Sequence, residues 1–184
     1  MPRAVCLLLC LLVASSFAGI VDVFSTNQQG RATYYDINSS GGGQGMCTLN
    51  TGGGGVGPIP ALSSSDIWTS GAINDFDLYN SDSCGMCVEV RGKGTGSGTA
   101  GDAVPTFSQI VILTDSCPYS SNPVCTKGHI DLVWPTNRYY DGLWDIEWHG
   151  VACPTSIGKL EYAFQGSHKW YMKLQVRNHR VPIK

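Results

Sequence analysis

The chain reads as an all-β protein with long loops, and three observations carry that reading. Long amphipathic helical patterns are absent from its 184 residues. Glycine is abundant, 23 residues, and recurs in clusters with Ser, Thr and Asn. The apolar segments are short; they either alternate with polar residues or run for a few positions. The length suits one medium domain, or one domain with a small appendage. A formal net charge of -2 with 14% charged residues excludes the basic stripe of a nucleic-acid binder.

Residues 1–18 read as a secretory signal peptide. Arg3 supplies the positive n-region, Ala4 to Val13 the apolar h-region, and Ser15 to Ala18 the small residues of a cleavage site. The segment is too short for a membrane span, so no membrane attachment is expected after its removal. Cys6 and Cys10 leave with it. Six cysteines remain: Cys47, Cys84, Cys87, Cys117, Cys125 and Cys153. An even count in a secreted chain implies disulfides. Cys84-Gly-Met-Cys87 has the spacing of a redox or zinc motif. No second pair of soft ligands and no βαβ context accompanies it, so the structural reading is preferred and no metal is expected.

In chain order, residues 19–29 lead into a strand over Gly30–Asp36, where Thr33, Tyr34 and Tyr35 have high β-propensity. Residues 38–60 form a Gly/Ser-rich loop with Cys47 in its middle and a glycosylation sequon at Asn38. Ala61–Trp68 suits a short helix, with Ser63 to Ser65 available as caps. Trp68, Phe76 and Tyr79 fall in a loop-like stretch. Cys84–Arg91 is a strand with Val88 and Val90 on one face. The glycines of 92–105 make a flexible connection; they lack the Lys-Ser/Thr and the helix that a phosphate-cradling loop requires.

Ile110–Leu113 is a run of four apolar residues, the signature of a strand buried on both faces. It delivers Thr114 and Asp115 at its end. A loop bearing Cys117, Pro118, Pro123 and Cys125 follows, and a short strand then carries His129, Ile130 and Asp131. Pro135 suits the start of one or two helical turns. Asp145–Val151 alternates, with Ile146 and Trp148 on one face. Leu160, Tyr162 and Phe164 also alternate, Gly166 and Ser167 turn the chain, and Trp170–Arg177 is a last strand. Two such strands cannot bury a core alone.

Asp36, Asp115 and Asp131 are the candidate catalytic carboxylates. Glycosidic hydrolysis by inversion uses an acid and a base about 6.5–9.5 Å apart. Asp131 sits inside an apolar strand, where partial burial raises a carboxyl pKa as a general acid requires. A lone Asp at a strand end commonly caps a turn or pairs with Lys or Arg; two around one bridged loop weaken that alternative. His129, His149, His168 and His179 lack metal-ligand spacing and read as ordinary polar residues; a hydrogen-bonded orienting pair of His129 and Asp131 is compatible with Gly128-His129-Ile130-Asp131 but is not shown by the sequence alone. Tyr119, Trp170 and Tyr171 lie in loops or at strand ends, where flat aromatic faces bind sugar rings when they are not packing a core.

Taken together, these segments resemble the expansins. The resemblance is carried by GRATYY at 30–35, SCGMCVEV at 83–90, VILTDSCP at 111–118, GHIDL at 128–132, IEWHGVACP at 146–154 and KWYMKLQVRNH at 169–179. It covers nearly all of the chain after residue 18. It implies a six-stranded double-psi β-barrel over residues 25–154. Residues 158–184 then look like the first two strands of an immunoglobulin-like, cellulose-binding β-sandwich that is truncated here.

The resemblance assigns Thr33 to the family's groove threonine and Asp115 to its Thr-Asp pair. Asp131 matches the indispensable Asp, the counterpart of the proton donor in the related family 45 endoglucanases. Trp170 and Tyr171 match two platform aromatics. Cys117 stands where bacterial members carry a Tyr, so that contact is lost or moved, with Tyr119 as a candidate substitute. The implied disulfides are Cys47–Cys84, Cys87–Cys153 and Cys117–Cys125. Tyr34-Tyr35-Asp36 fits the endoglucanase motif that holds the catalytic base, a feature expansins generally lack; Tyr34 joins the substrate-binding set.

The expected function is therefore that of a secreted, cell-wall, non-hydrolytic protein that binds cellulose or a related β-glucan or hemicellulose and loosens non-covalent contacts. The alternatives are an inverting β-1,4-endoglucanase, with Asp131 as acid and Asp36 as base, and a carbohydrate-binding protein without loosening activity. A monomer is expected, with no cofactor, no metal and no nucleic-acid partner.

Overall fold

The computed structural model describes residues 19–36, 45–49, 58–98, 104, 106–133, 142–154, 158–164 and 167–183. The expected signal peptide, the Asn38 sequon and the helical turns after Pro135 lie outside the described residues. Six strands close a barrel: β1 (Gln28–Tyr35), β2 (Thr69–Asn74), β3 (Cys87–Gly98), β4 (Thr106–Cys117), β5 (Ile130–Val133) and β6 (Gly142–Val151). Their order around it is β1-β5-β2-β4-β3-β6, with β6 returning to β1. The β1–β5 and β2–β4 pairs are parallel and the rest antiparallel. A separate sheet pairs β7 (Glu161–Phe164) with β8 (Leu174–Arg177). The all-β, six-stranded barrel expectation is met.

The continuous apolar run in β4 is explained by two cores. Val111 and Leu113 point into the barrel with Val88, Val90, Ile130, Leu132, Ile146 and Trp148. Ile112, one residue out of phase, packs outside with Ile59, Ala61, Ile67 and the Cys87–Cys153 disulfide. Over Val111–Leu113 both faces of β4 are therefore dry, whereas Thr106, Ser108 and Gln109 earlier in the strand are exposed. By contrast β6 is covered on one side only. Trp144, Ile146, Trp148 and Gly150 are buried, while Asp145, Glu147 and His149 stay partly exposed.

Three local expectations are corrected. The stretch after Trp68 contains a full strand, β2, rather than loop. Ser70, Gly71 and Ala72 have weak β-propensity, but β4 and β5 bond β2 from both sides, and pairing overrides propensity there. Strand β3 continues to Gly98 through the expected flexible connection; its register against β6 slips between Gly92 and Gly96, a bulge that Gly94 and Gly96 accommodate with positive φ. The last strand is only Leu174–Arg177. Trp170 and Tyr171 instead occupy a tight turn closed by the His168↔Tyr171 bridge and by Lys173 N donating to Ser167 Oγ.

The short strand β5 is located by backbone contact. A Cβ on Gly30 would sit 1.9 Å from the Gly128 carbonyl oxygen, and one on Gly128 would sit 2.1 Å from the Gln29 carbonyl oxygen. Gly128 also needs its φ of +82°. Around this contact, Gly128 N donates to the buried Asp77 Oδ2 at 2.7 Å and Trp148 Nε1 donates to Gly128 O at 2.9 Å. Gly30→Ala should therefore destabilise the protein by at least about 3 kcal/mol, because backbone rather than a movable side chain must give way. Urea unfolding of the variant measures this; stability within about 0.5 kcal/mol of wild type, the size of an ordinary surface change, would refute the contact.

Candidate functional site

Register builds the site. Thr33 on β1 pairs with Asp131 on β5, Asp131 pairs with Ala72 on β2, and Ala72 pairs with Asp115 on β4. Paired residues share a sheet face, so one row across four strands reads Thr33, Asp131, Ala72, Asp115. Ile130 and Leu132 flank Asp131 and point into the barrel core. Asp131 must then point outward. The smallest side chain of the row separates the two carboxylates.

The two aspartates have different surroundings. Asp115 is half-buried and accepts three hydrogen bonds: from Met46 N at 2.6 Å, Ser116 N at 2.8 Å and the Tyr35 hydroxyl at 3.2 Å. Gly45, with φ of +62°, lets Met46 reach it, because a Cβ there would lie 2.5 Å from the Thr114 carbonyl oxygen. Asp131 is 8% exposed and accepts one strong bond, from Thr33 Oγ1 at 2.7 Å. Its other oxygen lies 3.8 Å from the disulfide sulfur of Cys117. Ala72, Cys117 and Cys125, with Tyr35 and Val124, form a small apolar cluster over this row.

That cluster accounts for the electrostatics. Burial pushes the Asp131 carboxyl up to about 6; the Thr33 hydrogen bond opposes the rise and the Asp115 charge adds to it. Burial, reinforced by the Asp115 charge and hydrogen bond and by Asp131, raises the Tyr35 phenol far above its ordinary range. Burial and Arg31 hold His129 down at about 4. His129 is fully buried, and its Nε2 lies 3.0 Å from Thr33 Oγ1.

Of the sequence-selected residues, Thr33, Asp115 and Asp131 come together. Tyr34 lies on the opposite face of β1 from Thr33, and its neighbour Tyr35 takes the site position. Counting in twos from Thr33 along the strand points to Tyr35. Asp36 follows the last residue of β1 and is exposed. Tyr119, about half exposed, packs edge-to-face against Phe76 at 6.2 Å and donates its backbone N–H to Asp75. Trp170 is 82% exposed, with Lys169 Nζ 5.2 Å from its ring centroid, and Tyr171 lies beside it.

Three disulfides are present: Cys47–Cys84, Cys87–Cys153 and Cys117–Cys125. Cys117, Cys125 and His129 cluster closely, but the two sulfurs are bonded to each other and offer no thiolate to a metal. A cavity of about 460 Å³ lies elsewhere, between Met46–Leu49 and β8, with His179 and Lys173 in its wall.

No protein-family model matches the chain. Its sequence is 29% identical over 188 residues to Expansin-YoaJ of Bacillus subtilis (strain 168), covering 93% of this chain and 68% of that protein. Its fold matches two crystal structures of the Clavibacter michiganensis expansin, each with a TM-score of 0.55. One is a point mutant in complex with cellohexaose (21% identity) and the other is the apo protein (23%). Each match covers 86% of this chain and 67% of the other.

Asp131 carries a testable stability cost. The folded carboxyl holds its proton to about pH 6, whereas the ordinary value is 3.8. Its stabilising contribution is therefore full below about pH 4 and is lost as the pH rises through about 6. Asp131→Asn removes the buried charge. The variant should be more stable than wild type by about 3 kcal/mol at pH 7, with the gap closing near pH 4. Denaturant unfolding of both proteins across that range tests it; a gap independent of pH would contradict the assignment.

Proposed function

We propose that this expansin-like double-psi β-barrel protein is secreted and binds cellulose-type β-glucan along the outer face that carries Thr33, Asp131, Asp115 and Tyr35. It would loosen non-covalent contacts between glucan chains without cutting them. The observation that carries this reading is the row of two differently held carboxylates across four strands, on a chain similar to an expansin and shaped like one crystallised with cellohexaose. Three disulfides, which pair six cysteines, suit an oxidising compartment.

Glucan chains hold one another by hydroxyl hydrogen bonds and by contact between ring faces. A protein face that offers both competes for each. Asp131 and Asp115 supply acceptors for sugar hydroxyls. Asp131 supplies a donor as well, once protonated below about pH 6. Tyr35, Tyr119 and the neighbouring Phe76 supply apolar surface, the last two held by a ring contact at 6.2 Å. Residues 158–184 are proposed as a second cellulose-binding region, with Trp170 and Tyr171 lying flat on the polymer. Cys117, bonded to Cys125, closes the position beside Asp131 with sulfur instead of a hydroxyl.

The inverting endoglucanase reading keeps one supporting observation, a carboxyl at Asp131 tuned to the range of a general acid. It needs Asp36 as base, and Asp36 lies exposed past the end of β1. Incubation with amorphous cellulose decides between the two. Weakening of cellulose paper without release of reducing sugar, abolished by Asp131→Asn, is the expected result. Sugar release lost in both Asp131→Asn and Asp36→Asn would replace this reading with hydrolysis. Binding without either activity would leave a carbohydrate-binding protein.

The aromatic contribution is measured separately. Trp170→Ala should weaken adsorption to crystalline cellulose about tenfold, as expected for loss of a stacked ring of roughly 1.4 kcal/mol. It should leave affinity for soluble cellohexaose within about twofold, because the barrel face is untouched. Equal loss for both ligands would place Trp170 on the same site as Asp131.

A further inference from the structure

The carboxylate of Asp131 is one end of a three-residue chain. Thr33 Oγ1 lies 2.7 Å from Asp131 Oδ1 and 3.0 Å from His129 Nε2. A hydroxyl has one proton to donate and lone pairs with which to accept. The direction of the chain therefore depends on which nitrogen of His129 carries the imidazole proton. Burial with the nearby Arg31 keeps that ring neutral down to about pH 4, so it carries only one.

The surroundings of the ring select the nitrogen. His129 is fully buried, and its Nδ1 meets no hydrogen-bond partner among the described residues. Nδ1 is unpaired in either tautomer, but a proton there would make Nε2 an acceptor that takes the single Thr33 proton, and Asp131 Oδ1 would lose its 2.7 Å donor. A proton on Nε2 is received by Thr33 Oγ1. With its oxygen accepting from His129, the Thr33 hydroxyl has its own proton free to donate to Asp131. The backbone holds the ring in place: His129 N donates to Thr126 O at 3.0 Å, and Asn74 Nδ2 donates to His129 O at 3.1 Å.

We propose that His129 is a positioning residue that acts through Thr33. It fixes a one-way chain, from His129 Nε2–H to the Thr33 hydroxyl to Asp131 Oδ1, that reserves Oδ2 as the oxygen exchanging a proton or hydrogen bond with a glucan hydroxyl. Oδ1 is permanently an acceptor in this arrangement. The neighbour of Oδ2 is the oxidised sulfur of Cys117, which has no proton to give. When Asp131 is protonated, the proton thus resides on Oδ2. The inference rests on the glucan-binding reading only for the identity of the ligand; the chain belongs to the free protein.

Other charged and titratable groups face this chain. Asp115 acts on Asp131 from β4, Tyr35 stands beside Asp115 from β1, and Arg31 on β1 acts on His129. Asp77 lies below, bonded to Gly128 N. Among the described residues none of them hydrogen-bonds Thr33 Oγ1, so the His129–Thr33–Asp131 path has no parallel branch at that atom.

Two measurements on the free protein test the proposal. Nitrogen NMR of the imidazole-labelled protein at pH 7 should show the Nε2–H tautomer with Nδ1 bare, and an Nδ1–H tautomer would overturn it whatever the variants do. The second is the carbon-detected titration of the Asp131 carboxyl. Its midpoint of about 6 should rise by about one pH unit in Thr33→Val, which removes the donor. In His129→Phe it should rise by about half a unit, since a hydroxyl that no longer accepts is a weaker donor. Glutamine, whose amide can reach the Nε2 position, should restore the wild-type midpoint in His129→Gln.

The double variant discriminates further. In the Thr33→Val background His129→Phe should add nothing. An additive rise would mean that the ring acts by desolvation on its own account, and the proposal would fall. Should His129→Phe not fold, the tautomer measured on wild type decides the question alone. Neither measurement contains a glucan, so failure to bind cellohexaose would count against the functional reading and leave the chain intact.

Discussion

Two peptide backbones in van der Waals contact set the position of the site. Gly30 on β1 lies against the Gly128 carbonyl, with no room for a Cβ on either residue. That contact fixes the register of the parallel β1–β5 pair two residues downstream, where Ala32 meets Ile130 and Thr33 meets Asp131. A slip by one residue would send Asp131 into the barrel and Ile130 or Leu132 into solvent. Strand β5 is only four residues long and has few ladder bonds to hold itself. The turn before it is instead anchored from two further sides, by the buried carboxylate of Asp77 and the indole of Trp148.

Once register places two aspartates in one row, their surroundings separate them. Asp115 is surrounded by donors from three directions, two of them backbone N–H groups. Asp131 has one hydroxyl and a disulfide-lined apolar cluster. Ala72 stands between them, and desolvation raises the Asp131 carboxyl. The fold thereby surrounds one carboxylate with donors and lets the other hold its proton up to about pH 6. The cost is an ionised, poorly solvated Asp131 at pH 7.

The two-stranded sheet is held to the barrel through the disulfide-bearing segments. Cys153 and Arg180 exchange hydrogen bonds, with Cys153 N donating to Arg180 O and Arg180 Nε donating to Cys153 O, and Gln175 Nε2 donates to Cys47 O. One face buries Ala163 and Arg177; the other exposes Tyr162, Phe164 and Leu174. These ties answer how two strands that cannot form a core by themselves are ordered. The exposed Trp170 turn belongs to the same unit, so its aromatic surface is presented on a supported scaffold.

Much of this was legible in the amino-acid order. Local composition reveals strands whose two faces have distinct solvents, so the doubly buried run of β4 and the alternating β6 announce themselves, as do the cysteines, an aspartate at the end of one apolar run and another inside a short apolar strand. Strand β2 was not legible, because Ser70, Gly71 and Ala72 become a strand only through neighbours on both sides. Nor was the partnership of Thr33 with Asp131, separated by 98 positions, or the choice of Tyr35 over Tyr34. By itself the sequence determined which residues could be strand, crosslink and carboxylate, since those properties are local. Only the tertiary structure decided which of them meet, because register between distant strands is set by packing and backbone contact, and with it came the dry setting that makes Asp131 unlike Asp115.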